Sequence, residues 1–97
     1  MDTKKTIDIG RLESLLDKRD LQQNSCADID TPDFIVSNLI FKYNSDCKCL
    51  SFYRDTDQFV FDIFLEERNG KIKSHQDRIE IQLTNTTIKL NCKLNNY

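Results

Sequence analysis

A chain of 97 residues, 31% charged, 38% hydrophobic and with a formal net charge of −2, is one domain with a single modest core. Its charge balance argues against a general DNA or RNA binder, which would carry a basic excess. No apolar run approaches the ~18 residues of a membrane span.

The span 1–97 is taken as a single domain. Residues 1–6 are polar and expected to be frayed, and with no apolar stretch behind Lys4 and Lys5 no secretion signal is expected. A cytoplasmic protein with Cys26, Cys47, Cys49 and Cys92 as reduced thiols follows. The Asn, Lys, Ile and Asp bias fits an AT-rich coding source, which suits many bacteria, phages and viruses and selects none of them.

Ile9, Leu12, Leu15 and Leu16 recur at spacings of three and four, with Arg11, Glu13, Asp17 and Lys18 between them. This predicts one amphipathic helix over 9–21 with Asp8 as its N-cap. A helix this short is stable only when docked. Residues 22–33 are polar, aperiodic and closed by Pro32, and read as a loop.

Strands are predicted from there to residue 94. The first covers 34–43 and is apolar on both faces, and the second covers 47–54. The third, 58–67, organises the whole chain. Phe59, Phe61, Ile63 and Leu65 alternate along it, and Val60 and Phe64 add apolar surface behind, so it is expected inside the sheet. Asn69-Gly70 favours a tight hairpin turn. A fourth strand runs from Ile72 through Ile79, Ile81 and Leu83, with an interruption near Ser74-His75-Gln76. The fifth carries Ile88, Leu90, Cys92 and Leu94 on one face. Short connections imply antiparallel neighbours. The expected fold is therefore α+β, one N-terminal helix packed on a five-stranded antiparallel meander. Its second apolar face is either curled towards a barrel or left as an interaction surface.

In such a meander alternate turns share an end of the sheet. Asp28, Asp30, Asp33, Asp55 and Asp57 would then gather into one acidic rim. From residue 68 onward six bases (Arg68, Lys71, Lys73, Arg78, Lys89, Lys93) face two acids (Asp77, Glu80). An acidic rim speeds capture of a basic partner and orients it; loop acids also collect simply because loops are wet. Asp28-x-Asp30-x-x-Asp33 offers oxygens to calcium but lacks the glycine and distal glutamate of a recognised loop. Asn85-Thr86-Thr87 matches a glycosylation sequon by chance in so Asn- and Thr-rich a chain.

Cys47-x-Cys49 on a strand would hold its sulfurs about 7 Å apart on one face. With His75 and Cys92 this makes four soft ligands for zinc, at a spacing that matches no known knuckle. Cys92 is also in phase with core positions. Catalysis is not expected. The single histidine, His75, stands beside Ser74 on the opposite face of a strand, and the only glycines, Gly10 and Gly70, form no phosphate loop. Phe52, Tyr53, Phe59, Phe61 and Phe64 lack the flanking bases of a nucleic-acid stacking platform.

The expectation is a protein-binding module that inhibits or regulates another protein with a basic patch, like an immunity protein, an antitoxin or a phage or viral host-interacting factor. Its contacts would be Asp28, Asp30, Asp33, Asp55 and Asp57 with Tyr53 as an anchor. No cofactor and no membrane are expected, nucleic acid is disfavoured, and homo-oligomers would use the second sheet face. The alternative is a small metal- or nucleic-acid-binding domain using the cysteines or the basic C-terminal third.

Overall fold

The computed structural model describes residues 6–19, 21, 25–55 and 57–94. In chain order these form helix α1 (Ile9–Asp17) and strands β1 (Cys26–Asp30), β2 (Ile35–Asn44), β3 (Cys49–Tyr53), β4 (Phe59–Phe64), β5 (Gly70–Ser74), β6 (Arg78–Leu83) and β7 (Thr87–Asn91). The α+β class holds, with one helix on an antiparallel sheet. The expected five strands become seven, in the order β4-β3-β2-β1-β7-β6-β5. Two changes account for this. Cys26–Asp30 is a strand rather than loop, and the interruption at 75–77 separates two full strands.

Strands β4 and β5 follow one another in the chain yet form the two edges of the sheet, so it is not closed into a barrel. Seven strands laid flat at about 4.8 Å spacing would put those edges roughly 29 Å apart. The link 65–69 reaches only about 20 Å, so the sheet must be strongly curled. Asn69-Gly70 therefore closes no hairpin. Glycine is needed there for a different reason: an added Cβ would lie 2.6 Å from the main-chain oxygen of Gln82. Gly70→Ala should cost about 1–3 kcal/mol by overpacking, read as a lowered midpoint in urea; an unchanged midpoint would show that the β5–β6 contact yields freely.

Curling is concentrated in β2. Its first part pairs with β1 (Ala27 with Leu39, Ile29 with Val36), and its second part pairs with β3 (Ile40 with Tyr53 through Asn44 with Cys49). Between Val36 and Leu39 the strand carries one more residue than β1 does, a bulge at which Asn38 adopts φ 61°. Such bulges bend a strand and raise its twist. Asp28, opposite the bulge, accepts the Asn38 N–H at 3.0 Å and the Asn91 side-chain amide at 3.1 Å. One carboxylate thus ties β2, β1 and β7 together at the corner.

The core is built from cross-strand rows. Ile72, Ile81, Ile88 and Ile29 form one, and Ile79, Leu90, Ala27 and Leu39 a second. Phe41, Phe52 and Phe61 form a third across β2, β3 and β4. Leu12 and Leu16 of α1 enter the same cluster. As expected, Asp8 caps the helix by accepting the Arg11 N–H at 3.0 Å. The helix ends at Asp17, short of the expected 21. Of the segment expected to be frayed, residues 1–5 lie outside the described residues. Thr6 bridges to Asn69, and the Ile7 N–H donates to the Arg68 carbonyl.

Helix α1 is held on two sides. Arg11 donates to the Ile72 carbonyl on β5, while Glu13 accepts from the Tyr43 hydroxyl at 2.7 Å and from Lys48 Nζ at 3.2 Å. The Tyr43 and Lys48 hydrogen bonds hold the Glu13 carboxyl below the usual carboxylate range. Burial, and then Glu13 itself, push the Tyr43 phenol upward. Beyond the helix Arg19 is buried. Its guanidinium donates to Ser74 Oγ and to the carbonyls of His75, Gln76 and Cys92.

Candidate protein-docking surface

Strand β4 is an edge strand, not the interior strand its alternation predicts. It also carries a second irregularity. Phe61 pairs with Phe52 but Phe59 pairs with Tyr53, so Val60 is an extra residue and the stripe changes phase. Phe61 and Ile63 pack against the core, whereas Phe59 is 57% exposed and Phe64 53% exposed.

The two edges are unlike. Strand β5 presents exposed Lys71 and Lys73, a common way of discouraging edge pairing, and its Ile72 carbonyl is taken by Arg11. Strand β4 carries no lysine and no proline and its exposed charge is Asp62, although its Phe64 carbonyl likewise accepts from an arginine, Arg68 Nε, at 2.6 Å. Beside it, Tyr53 meets Phe59 edge to face at 5.7 Å between centroids, with Lys42 Nζ 5.2 Å above the Tyr53 ring. Phe34, half exposed, packs edge-on against Phe61 at 6.4 Å. An aromatic band therefore follows the β4 edge. Exposed acids lie at both ends: Asp55 and Asp57 in the turn before β4, Glu66 and Glu67 in the link after it. Alternation alone could not find this band, because the signal for it lies in two bulges.

The acids expected to share one rim are placed as follows. Asp28 lies within the sheet, half-buried, with both carboxylate oxygens occupied by Asn38 and Asn91. Asp30 is exposed at the end of β1, level with Ile35 and Thr87, and Asp33 is exposed in the following turn. The loop before β2 and the 84–86 turn thus share an end. Tyr53, from which the Asp55–Asp57 turn departs, is level with Ile40, five positions along β2 from Ile35. The offset arises because β3 pairs only with the second part of β2. Asp55 and Asp57 consequently flank the start of β4, off the level of Asp30.

The bases of the C-terminal third are interleaved with acids. The ladders align Lys73, Glu80, Lys89 and Asp28 in one row across β5, β6, β7 and β1. Glu80 is held below its ordinary value by the Gln82 amide hydrogen bond, and then by Lys89 and Arg78.

Among the described residues no three His, Cys, Asp or Glu side chains stand together as a metal site. Cys47 lies in the β2–β3 turn and Cys49 opens β3, His75 belongs to the β5–β6 turn, and Cys92 to the core beyond β7, where burial raises its thiol. The Cys47 and Cys49 sulfurs are 2.6 Å apart, not the 7 Å of a continuous strand, because Cys47 lies in the turn and Lys48 takes φ 54°. No helix among the described residues is long and apolar enough to cross a membrane. A scan against family models finds no match, and neither curated proteins nor solved structures yield one.

Proposed function

We propose that this protein is a protein-binding module that inhibits or regulates its partner by taking up one of the partner's extended segments along β4. The carrying observation is that β4 ends the sheet with Phe59 and Phe64 exposed. An open edge supplies main-chain hydrogen bonds, and alternate side chains supply selectivity. Asp55, Asp57, Asp62, Glu66 and Glu67 favour a segment in which Lys or Arg alternates with apolar residues. Tyr53, Phe59 and Phe64 are its apolar anchors. Pairing with a second copy through the same strand is disfavoured, since an in-phase antiparallel register centred on Asp62 would set like charges opposite. Asp30 and Asp33, both exposed, contribute to long-range attraction of the same basic partner.

Peptide selection against the purified protein tests this. Extended sequences alternating basic and apolar residues should be enriched, with protection of β4 amides on binding. Replacing both Phe59 and Phe64 by Ser should weaken the selected peptides about tenfold or more, because aromatic anchors dominate such contacts. Asp55→Lys with Asp57→Lys should slow association at low salt. Selected peptides without that pattern, or affinity indifferent to the Phe pair, would overturn the reading.

A further inference from the structure

We propose that Cys47 and Cys49 form a dithiol–disulfide couple that exchanges electrons with small-molecule disulfides of the glutathione type. This goes beyond partner binding and rests on a different part of the molecule. The two sulfurs stand 2.6 Å apart, roughly half an ångström beyond a covalent S–S bond of about 2.05 Å. Residues two apart on a regular strand hold their side chains much farther from each other. Here the left-handed backbone of Lys48 folds the turn so that the sulfurs converge.

The turn is braced in this shape. The Lys48 carbonyl accepts the Leu65 N–H at 2.9 Å, Lys48 Nζ is paired with Glu13, and the Asp46 N–H donates to the Asn44 side chain at 2.9 Å. Closing the disulfide therefore asks for little main-chain movement. The two thiols are also unequal. Cys47 is exposed and Cys49 is buried, so an external disulfide meets Cys47. The Cys49 thiol is pushed up to about 11, first by its hydrogen bond to Cys47 and then by burial. Once Cys47 carries a substituent, the first of those causes is removed.

The exchange balances as follows. The Cys47 thiol loses its proton to solvent, and its sulfur attacks one sulfur of the external disulfide. That S–S bond breaks, and one glutathione thiolate leaves and takes up a proton. Cys49 then loses its proton and attacks the Cys47 sulfur of the mixed disulfide, releasing the second glutathione thiolate, which is protonated in turn. The protein gives up two electrons and two protons, and the external disulfide becomes two thiols.

Trypsin provides the readout, because Lys48 lies between the two cysteines. In reduced protein, cleavage after Lys42, Lys48 and Arg54 gives separate peptides 43–48 and 49–54. After equilibration of the folded protein with reduced and oxidised glutathione and alkylation of free thiols, these two peptides should be joined through a disulfide. Cys26 and Cys92 should remain alkylatable after denaturation. Cys49→Ser should raise the fraction of Cys47 held as the glutathione mixed disulfide about tenfold over wild type, since the resolving sulfur is gone. Cys47→Ser, at an exposed position, should leave Cys49 unmodified. The proposal is overturned if wild-type Cys47 and Cys49 both stay alkylatable, if Cys47 accumulates glutathione as readily with Cys49 present as without it, or if oxidation joins Cys47 to another cysteine.

Discussion

Arg19→Leu should lower the unfolding free energy by about 3–5 kcal/mol, measured by urea denaturation. The side chain is 4% exposed, and among the described residues no carboxylate lies within ion-pairing distance of it. Its charge is instead solvated by the carbonyls of His75, Gln76 and Cys92 and by Ser74 Oγ. A hydrogen bond to a charged group contributes about 1.5–3 kcal/mol, and a buried carbonyl left without a donor costs about 1–3 kcal/mol. The individual contributions overlap, so their plain sum would exceed the expected loss. Leucine matches the apolar stem but supplies no donor. Arg19→Lys keeps the charge as a single point that cannot span four acceptors on two segments, and should recover less than half of the loss. A cost below about 1 kcal/mol for Arg19→Leu would mean that water replaces the guanidinium without difficulty.

Phe52→Ala should cost about 3–5 kcal/mol, a large share of the roughly 5–15 kcal/mol available to a domain of this kind. Phe52 is fully buried between Phe41 and Phe61 in the aromatic row, its ring 5.3 Å from that of Phe61. Phe64→Ala is the control. That ring is 53% exposed, and its loss should change stability by about 0.5 kcal/mol or less. The two variants remove the same side chain type from neighbouring strands, so their difference isolates position within the sheet. Similar costs for both would place the centre of the core on β4 instead of β3.

That contrast also marks where alternation stops being informative. The helix, its Asp8 cap, the antiparallel pairing and the inward stripes of β6 and β7 could be read from residue spacing, since each follows an unbroken period. Strand β1 could not. Ala27 and Ile29 are the only aliphatic residues of its five, and its two aspartates look like loop residues until the Asn38 and Asn91 donors that satisfy Asp28 are in place. Long-range partners decide such a strand, and they leave no local trace. Strand β4 misleads in the opposite sense, because the extra residue Val60 turns Phe59 from the inner face to the outer one. Arg19 reads as one more charge on the predicted helix 9–21; only residues 74–76 and the chain just beyond β7 make it a buried donor. Of the anticipated contact residues, Asp55, Asp57 and Tyr53 lie beside the start of β4, Asp30 and Asp33 lie at the β1–β2 connection, and Asp28 is engaged inside the sheet.

The insertion of β7 between β1 and β6 has a consequence for how the molecule is made. Ala27 faces Leu90 and Ile29 faces Ile88, so the middle of the sheet joins residues about sixty positions apart, and such distant pairings slow folding. While the chain is being synthesised, the β1–β4 portion and the β5–β6 hairpin are two fragments with no strand between them. Each then shows a bare flank to its surroundings. Completion waits for Thr87–Asn91 to emerge, and until then β1 is as open to misplaced pairing as any outer strand.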